Sequence, residues 1–309
     1  MKSSARVVTG LSAAMAGTAW ADSEPVRWQL NMPEGVTRTA QNAYEMHMLG
    51  LWICVAIAVA VFGAMIFAMV KFRKSKGAQP DVDFTHSTKL EAVWTVIPIL
   101  ILILMAVPAT SRVKEQYDAR GHEITVKVTG YQWMWRYEIV GTGVNFISRL
   151  DRESDRIRQS GESPDGAAHP HYLREVDRPL VLPTGTKIRF VVTSDDVIHA
   201  WWVAALGWKQ DAIPGVINEA WTKVSKPGTY RGVCAELCGK DHGFMPIVVK
   251  VVPKAEYQTW LAAQKSAGDA AQTAALPAPA AAEPAPEAAA TDAPVEAVPA
   301  APAVAASAG

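Results

Sequence analysis

The segment CAELCGKDHGFM, Cys234 to Met245, gathers two thiols, an imidazole and a thioether into twelve residues. Thiolate and thioether are soft donors that suit copper, and imidazole suits it equally well. Cys234 and Cys238 are four apart, His242 follows four later and Met245 three after that, while His199 offers a second imidazole 35 residues upstream. A mononuclear blue-copper site takes one Cys, two His and a weak Met, which leaves one thiol over. Two thiolates bridging two coppers, with one His on each, use every donor and leave Met245 and a backbone carbonyl as weak outer ligands. Such a centre carries electrons and binds no substrate. Two other uses of the same residues stand close behind. Paired Cys in an oxidising compartment commonly form a disulfide, and Cys234, Cys238, His242 and His199 also make a tetrahedral zinc set. Neither uses Met245.

The elements that must position these donors begin at a membrane. Lys2 and Arg6, the apolar run Val7–Ala16 and the small-x-small triplet Ala19-Trp20-Ala21 read as a signal peptide over 1–21. A stretch without charge runs from Met48 to Val70 and a second from Ala92 to Thr110, the latter carrying Pro98 and Pro108. Each is long enough to cross a bilayer core of about 30 Å, and membrane helices tolerate proline better than soluble ones. Lys71, Arg73, Lys74 and Lys76 follow the first span directly. That excess of cations puts the 71–91 loop in the cytoplasm, so both termini, the 22–47 segment and the copper-type motif lie on the periplasmic side of a bacterial inner membrane. Glu91 stands at the cytoplasmic end of the second span. It either snorkels to the interface beside Lys89 or marks a proton route. With 30 basic and 30 acidic residues, nothing indicates a nucleic-acid partner.

From residue 111 to 265 the pattern becomes short runs rich in Val, Ile, Tyr and Trp, bounded by Gly, Pro and Asp. They fall at Glu123–Thr129, Tyr131–Val140, Pro179–Leu182, Lys187–Thr193, Thr229–Val233 and Pro246–Val252, and predict an antiparallel sandwich or barrel. Mixed charges from 149 to 178 read as a solvated insertion. A closing helix is expected after Pro253, with Tyr257, Trp260 and Leu261 on one face. The Ala/Pro-rich tail, 266–309, holds too few large apolar residues to offset its ordering entropy, which predicts disorder.

Within YQWMWRYE, Tyr131, Trp133, Trp135 and Tyr137 alternate, so a single strand would set them on one face as a core stripe. One indole left at the surface over a redox metal would shorten an electron's path and offer a partner an anchor. Asp195 and Asp196 precede His199 by a few residues, either as solvated loop acids or as a patch that speeds encounter with a basic partner.

In KLEAVWTVIP, GYQWMWRYE, DDVIHAWWVAALGWKQDAIPG and CAELCGKDHGFMPIVV, taken in this order, the chain resembles subunit II of the haem-copper cytochrome c oxidases from about Trp28 to Trp260. The resemblance implies a two-helix transmembrane hairpin followed by a cupredoxin-like Greek-key β-barrel carrying a dinuclear copper centre of the CuA type. Its ligands would be His199, Cys234, the backbone carbonyl of Glu236, Cys238, His242 and Met245. The Glu236 side chain would also reach a magnesium shared with subunit I. Trp133 would be where electrons enter, Asp196 a docking acid for cytochrome c, and Glu91 the mouth of a proton channel. Implied partners are subunits I and III, cytochrome c and membrane lipid, in a proton-pumping complex that reduces oxygen to water. No CxxCH occurs, so the donor would be a separate protein, and the complete ligand set argues against quinol. Two alternatives are a nitrous-oxide-reductase-like protein, which would need a His-rich cluster beyond the seven scattered His, and a structural anchor clipped by zinc or a disulfide.

Overall fold

The fold is that of a computed structural model describing residues 21–22, 27–79 and 82–275. The expected signal peptide falls outside the described residues apart from Ala21, and so does the tail beyond 275.

Helix α1 spans Arg38–Lys71 and α2 spans Thr88–Gln116. Thr37 caps α1 by accepting from the Ala40 N–H, and Ser87 caps α2 by accepting from Leu90. Both helices are long and apolar enough to cross a membrane, and the chain is membrane-anchored. Pro98 and Pro108 lie inside α2 without ending it.

α1 starts well ahead of the apolar stretch, and its first turn is seated on the soluble domain. Thr37 and Thr39 both donate to the Leu206 carbonyl at 2.8 and 2.9 Å. Gly207, at φ +81°, lies so close that a Cβ there would stand 2.2 Å from the Ala40 Cα. Only glycine lets the helix approach. Across the hairpin, Arg112 bonds Asn42 at 2.7 Å and Glu45 at 2.8 Å, and the Trp221 indole donates to the Glu115 carbonyl at 3.1 Å. Membrane helices and domain are therefore joined by hydrogen bonds as well as by chain.

The domain is two sheets packed face to face. One contains β2 (Ile124–Tyr131), β3 (Met134–Ile139), β4 (Val144–Ser148), β6 (Ile188–Ser194) and β9 (Asn218–Thr222), in the order β4-β3-β2-β6-β9. The other contains β5 (Leu180–Pro183), β7 (His199–Val203), β8 (Trp208–Ala212), β10 (Gly228–Cys234) and β11 (Ile247–Val252), in the order β5-β11-β10-β7-β8, with β1 (Ala21–Asp22) beside β10. Inward residues from both, among them Val126, Val128, Trp135, Tyr137, Phe190, Trp201, Leu206 and Ile247, form one core. This is the cupredoxin-like domain behind two helices that the sequence implied.

The strand pattern departs from expectation in three ways. β2 pairs parallel with β6, and β5 with β11, so the sheets are mixed and not purely antiparallel. Five of the described strands, β1, β4, β7, β8 and β9, fall outside the expected runs; β9 (NEAWT) and β8 (WKQDA) carry polar residues that hide their period. The run from Tyr131 to Val140 is not one strand, because the chain reverses at Gln132-Trp133 between β2 and β3. Of the four alternating rings only Trp135 and Tyr137 are fully buried.

Segment 149–178 is not simply solvated. Leu150 bridges to Val176, and helix α3, Arg152–Ser160, buries Ile157 and Ser154 against the domain. Asp151 caps α3 with its carboxylate, which offsets the helix's polar composition. The closing helix α4 runs Lys254–Ala275, ten residues past the expected boundary at 265. Alanine's helix propensity carries it on, and the first proline stands at 277.

Candidate metal centre

Strands β7 and β10 are antiparallel with Trp201 opposite Cys234, and the Ala235 N–H donates to the Ala200 carbonyl at 2.9 Å. This register brings His199, at the head of β7, beside Cys234, at the foot of β10. The His199 Nδ1 is 3.9 Å from the Cys234 Sγ. Beyond Cys234 the chain turns back, and Cys238 Sγ stands 3.9 Å from Cys234 Sγ, 3.5 Å from His242 Nδ1 and 3.5 Å from Met245 Sδ. The Glu236 carbonyl lies 3.4 Å from Cys234 Sγ, with the Glu236 side chain exposed. All six expected donors thus converge. His199 is wholly buried and Met245 nearly so.

Two of the donors, His199 and Met245, are held from behind. The Asp196 carboxylate accepts from His199 Nε2 at 2.9 Å, which puts a proton on Nε2 and turns Nδ1 toward the thiols. The Trp135 ring stands edge-on to His199 at 5.8 Å, and its Nε1–H donates to the Met245 carbonyl at 3.2 Å. Asp196 also accepts from the Gln132 and Val197 backbone N–H groups at 2.7 and 2.6 Å. Burial works against charge on Asp196, yet the bonds from His199, Val197 and Gln132 outweigh it and keep the carboxyl below its usual range.

The two thiols differ. Burial opposes ionisation of Cys234, but hydrogen bonding with His199, with the backbone at Ala200 and Glu236, and with His242 brings it down to about 7. Burial, and then the negative charge of Cys234, push Cys238 up to about 12. A protein that buries two such thiols side by side without joining them needs a cation for both to be thiolates. Cys234 and Cys238 are free, far beyond the roughly 2.04 Å of a disulfide. His199, Cys234 and Cys238 present ligand atoms within 4.8 Å of one another. The donor set therefore fits a thiophilic metal, with Met245 and the Glu236 carbonyl at hand as weak ligands.

Trp133 is half-buried at the tip of the β2–β3 hairpin. Its Nε1–H donates to the Cys238 carbonyl at 3.2 Å, beside the Gln132 side-chain amide at 2.8 Å. Gly239, at φ +115°, lets the ring lie against the chain, since a Cβ there would stand 3.2 Å from its Cζ2. Asp195 is exposed and accepts from the Tyr131 hydroxyl. Glu91 is remote from this cluster, in the first turn of α2, where it pairs with His86 Nδ1 at 2.7 Å and not with Lys89. Sequence reasoning missed Gly130, Gln132 and Trp135 as supports of the site. All three lie in GYQWMW, where only Trp133 had been singled out.

Comparison with known proteins bears on both the helices and the domain behind them. The family model for cytochrome c oxidase subunit II, periplasmic domain, matches residues 124–252, and that for its transmembrane domain matches 25–111. A probable cytochrome c oxidase subunit 2 of Rickettsia bellii is 37% identical over 244 residues, covering 78% of this chain and 86% of the relative. Cytochrome c oxidase subunit 2 of Cereibacter sphaeroides is 34% identical over 230 residues, 71% of this chain and 76% of the relative. Among solved structures, the periplasmic domain of subunit II of cytochrome oxidase from Bradyrhizobium japonicum shares 39% identity, covering 48% of this chain and 98% of that one, with a TM-score of 0.41.

Proposed function

We propose, from the premise that the chain belongs to the cytochrome c oxidase subunit II family, that it accepts electrons from reduced cytochrome c and delivers them to haem in subunit I of a proton-pumping oxidase. The observation that carries this reading is the convergence of the buried His199, Cys234, Cys238 and Met245 with the half-buried His242, both thiols being free.

These residues, with the Glu236 carbonyl, would hold two coppers. When bound, such a pair supplies a one-electron redox centre whose charge is shared through the thiolates. The chain's own part is to hold the donors rigid and dry, so that little has to move when the charge changes. Asp196 keeps His199 in one tautomer, and Trp135 braces both His199 and the Met245 carbonyl. Trp133 joins the outer surface to the Cys238 carbonyl by one hydrogen bond, and so gives an electron a short route inward.

Asp195 and Asp196 bond Tyr131 and Gln132 of the hairpin that carries that ring and would guide a basic cytochrome c, although Asp196 also serves His199. The exposed Glu236 carboxylate is available to a magnesium at the border with subunit I. Glu91, paired with His86 at the far end of α2, would open the proton route. The cations at 71–76 favour a cytoplasmic position for that end, which would set the domain in the periplasm. Subunits I and III and lipid would surround the two helices, whose large apolar side chains are exposed on the chain alone.

Metal analysis of the purified full-length chain tests the reading. The expected result is two coppers per chain with the paramagnetic signature of an electron shared between both. One zinc, or no metal with a closed Cys234–Cys238 disulfide, would replace it with the structural-anchor reading.

A further inference from the structure

The neck of the 149–178 segment is closed by more than the Leu150–Val176 bridge. The Asp151 N–H donates to the Glu175 carbonyl and the Asp177 N–H to the Arg149 carbonyl, each at 3.0 Å, while the Asp177 carboxylate accepts from the Arg149 N–H at 2.8 Å. Glu175 then pairs at 2.9 Å with Arg231 on β10, the strand that ends in Cys234. So anchored, the segment lays α3 against the loop that carries the last two metal donors.

Arg158 is the side chain that reaches across. Asp155 accepts from its Nε at 3.1 Å and from one terminal nitrogen at 2.7 Å, which fixes the plane of the guanidinium. The other terminal nitrogen donates to Asp241 Oδ1 at 2.9 Å, and the guanidinium carbon sits 4.1 Å from the centre of the Phe244 ring. Asp241 precedes the one-turn helix His242–Phe244, and Phe244 ends it directly before Met245. Asp241 stands at the N-cap of that turn yet makes no side-chain cap bond to it, its carboxylate being turned to Arg158. One cation therefore grips the His242–Met245 arm on both sides, by an ion pair at one end and by its face on a ring at the other. Both charged side chains are only 23% exposed, so solvent screens the pair less than it would a surface pair.

We propose that the 149–178 segment is a clamp, with Arg158 as the positioning residue, that holds the His242–Met245 arm in its ligand-ready conformation before metal arrives. A loop already ordered loses less entropy when its donors are bound, and binding is correspondingly tighter. The consequence for copper rests on the function proposed above; the ordering of the loop does not.

Hydrogen exchange on the copper-free, full-length chain in detergent reads the clamp without any metal. Arg158→Ala should speed exchange in peptides spanning 239–246 by roughly three- to thirtyfold, the sum of a partly screened ion pair and a cation–ring contact, with peptides in β2 and β3 unchanged. Arg156→Ala, on the same helix but paired outward with Glu153 and Glu162, should leave the loop as it is. Asp241→Asn, which keeps the ring contact, should show a smaller increase and serves if Arg158→Ala fails to fold. In the copper-loaded chain, Arg158→Ala should release metal to a chelator faster at unchanged stoichiometry. Loop exchange at the wild-type rate in both Arg158→Ala and Asp241→Asn overturns the clamp. A wild-type chain that takes up no copper overturns the copper reading instead, and leaves the exchange result to decide the clamp.

Discussion

Gly130 lies directly against His199: a Cβ built on Gly130 would stand 2.7 Å from the ring's Cδ2 and 3.0 Å from Cγ. The backbone of β2 is thus the floor of the metal centre. The ring above cannot retreat, because Asp196 holds its Nε2 and Trp135 meets its face. Gly130→Ala should therefore destabilise the domain by about 1–3 kcal/mol, the usual cost of overpacking a tight core, and lower copper occupancy. Thermal unfolding with metal analysis checks this; a variant of wild-type stability and full copper content would show that the floor yields.

Trp133→Phe keeps a ring over Gly239 but deletes the N–H that reaches the Cys238 carbonyl. Copper content should stay intact, because the indole is not a donor. Electron uptake from reduced cytochrome c, followed by stopped-flow absorbance on the assembled oxidase, should slow markedly. Unchanged uptake would remove the conduit role.

Glu91→Ala breaks the pair with His86 at the far end of α2, remote from every copper donor. Reduction of the metal centre should be normal and proton uptake during turnover slower. Proton uptake at the wild-type rate would leave Glu91 as an acid that snorkels to the interface.

The first turns of α4 pack on the domain. Tyr257 is 2% exposed, and Trp260 and Leu261 pack on the core, with Trp260 6.1 Å from the Phe146 ring. Truncation after Lys265 should leave assembly and activity nearly unchanged. Truncation after Pro253 should cost roughly 3–5 kcal/mol or more, the scale of deleting one large buried aromatic. Thermal unfolding of the two truncated chains separates these outcomes, and equal losses would contradict a stabilising role for Tyr257, Trp260 and Leu261.

Much of this was written in local sequence. Apolar runs about as long as a bilayer core is thick are satisfied as helices, so the hairpin follows from composition, and the spacing of Cys234, Cys238, His242 and Met245 suggests a copper loop while leaving zinc and a disulfide close behind. What local pattern could not supply was distance across the fold. The reversal at Gln132-Trp133 has no glycine, asparagine or proline to announce it; it is held by Asp196, by Cys238 and by Tyr131 bonding Asp195, partners 64 to 106 residues away. The same holds for Asp196, whose sequence position suggested docking but whose carboxylate also sets the His199 tautomer. Segment 149–178 looked solvated because its charges outnumber its apolar residues. Only the packed structure pairs Arg158 with Asp241, 83 residues on, and turns a charged insertion into a support for the metal loop. Periodicity reports which face of an element is apolar; which elements meet is decided by sheet register and by polar groups that must find partners once water is excluded.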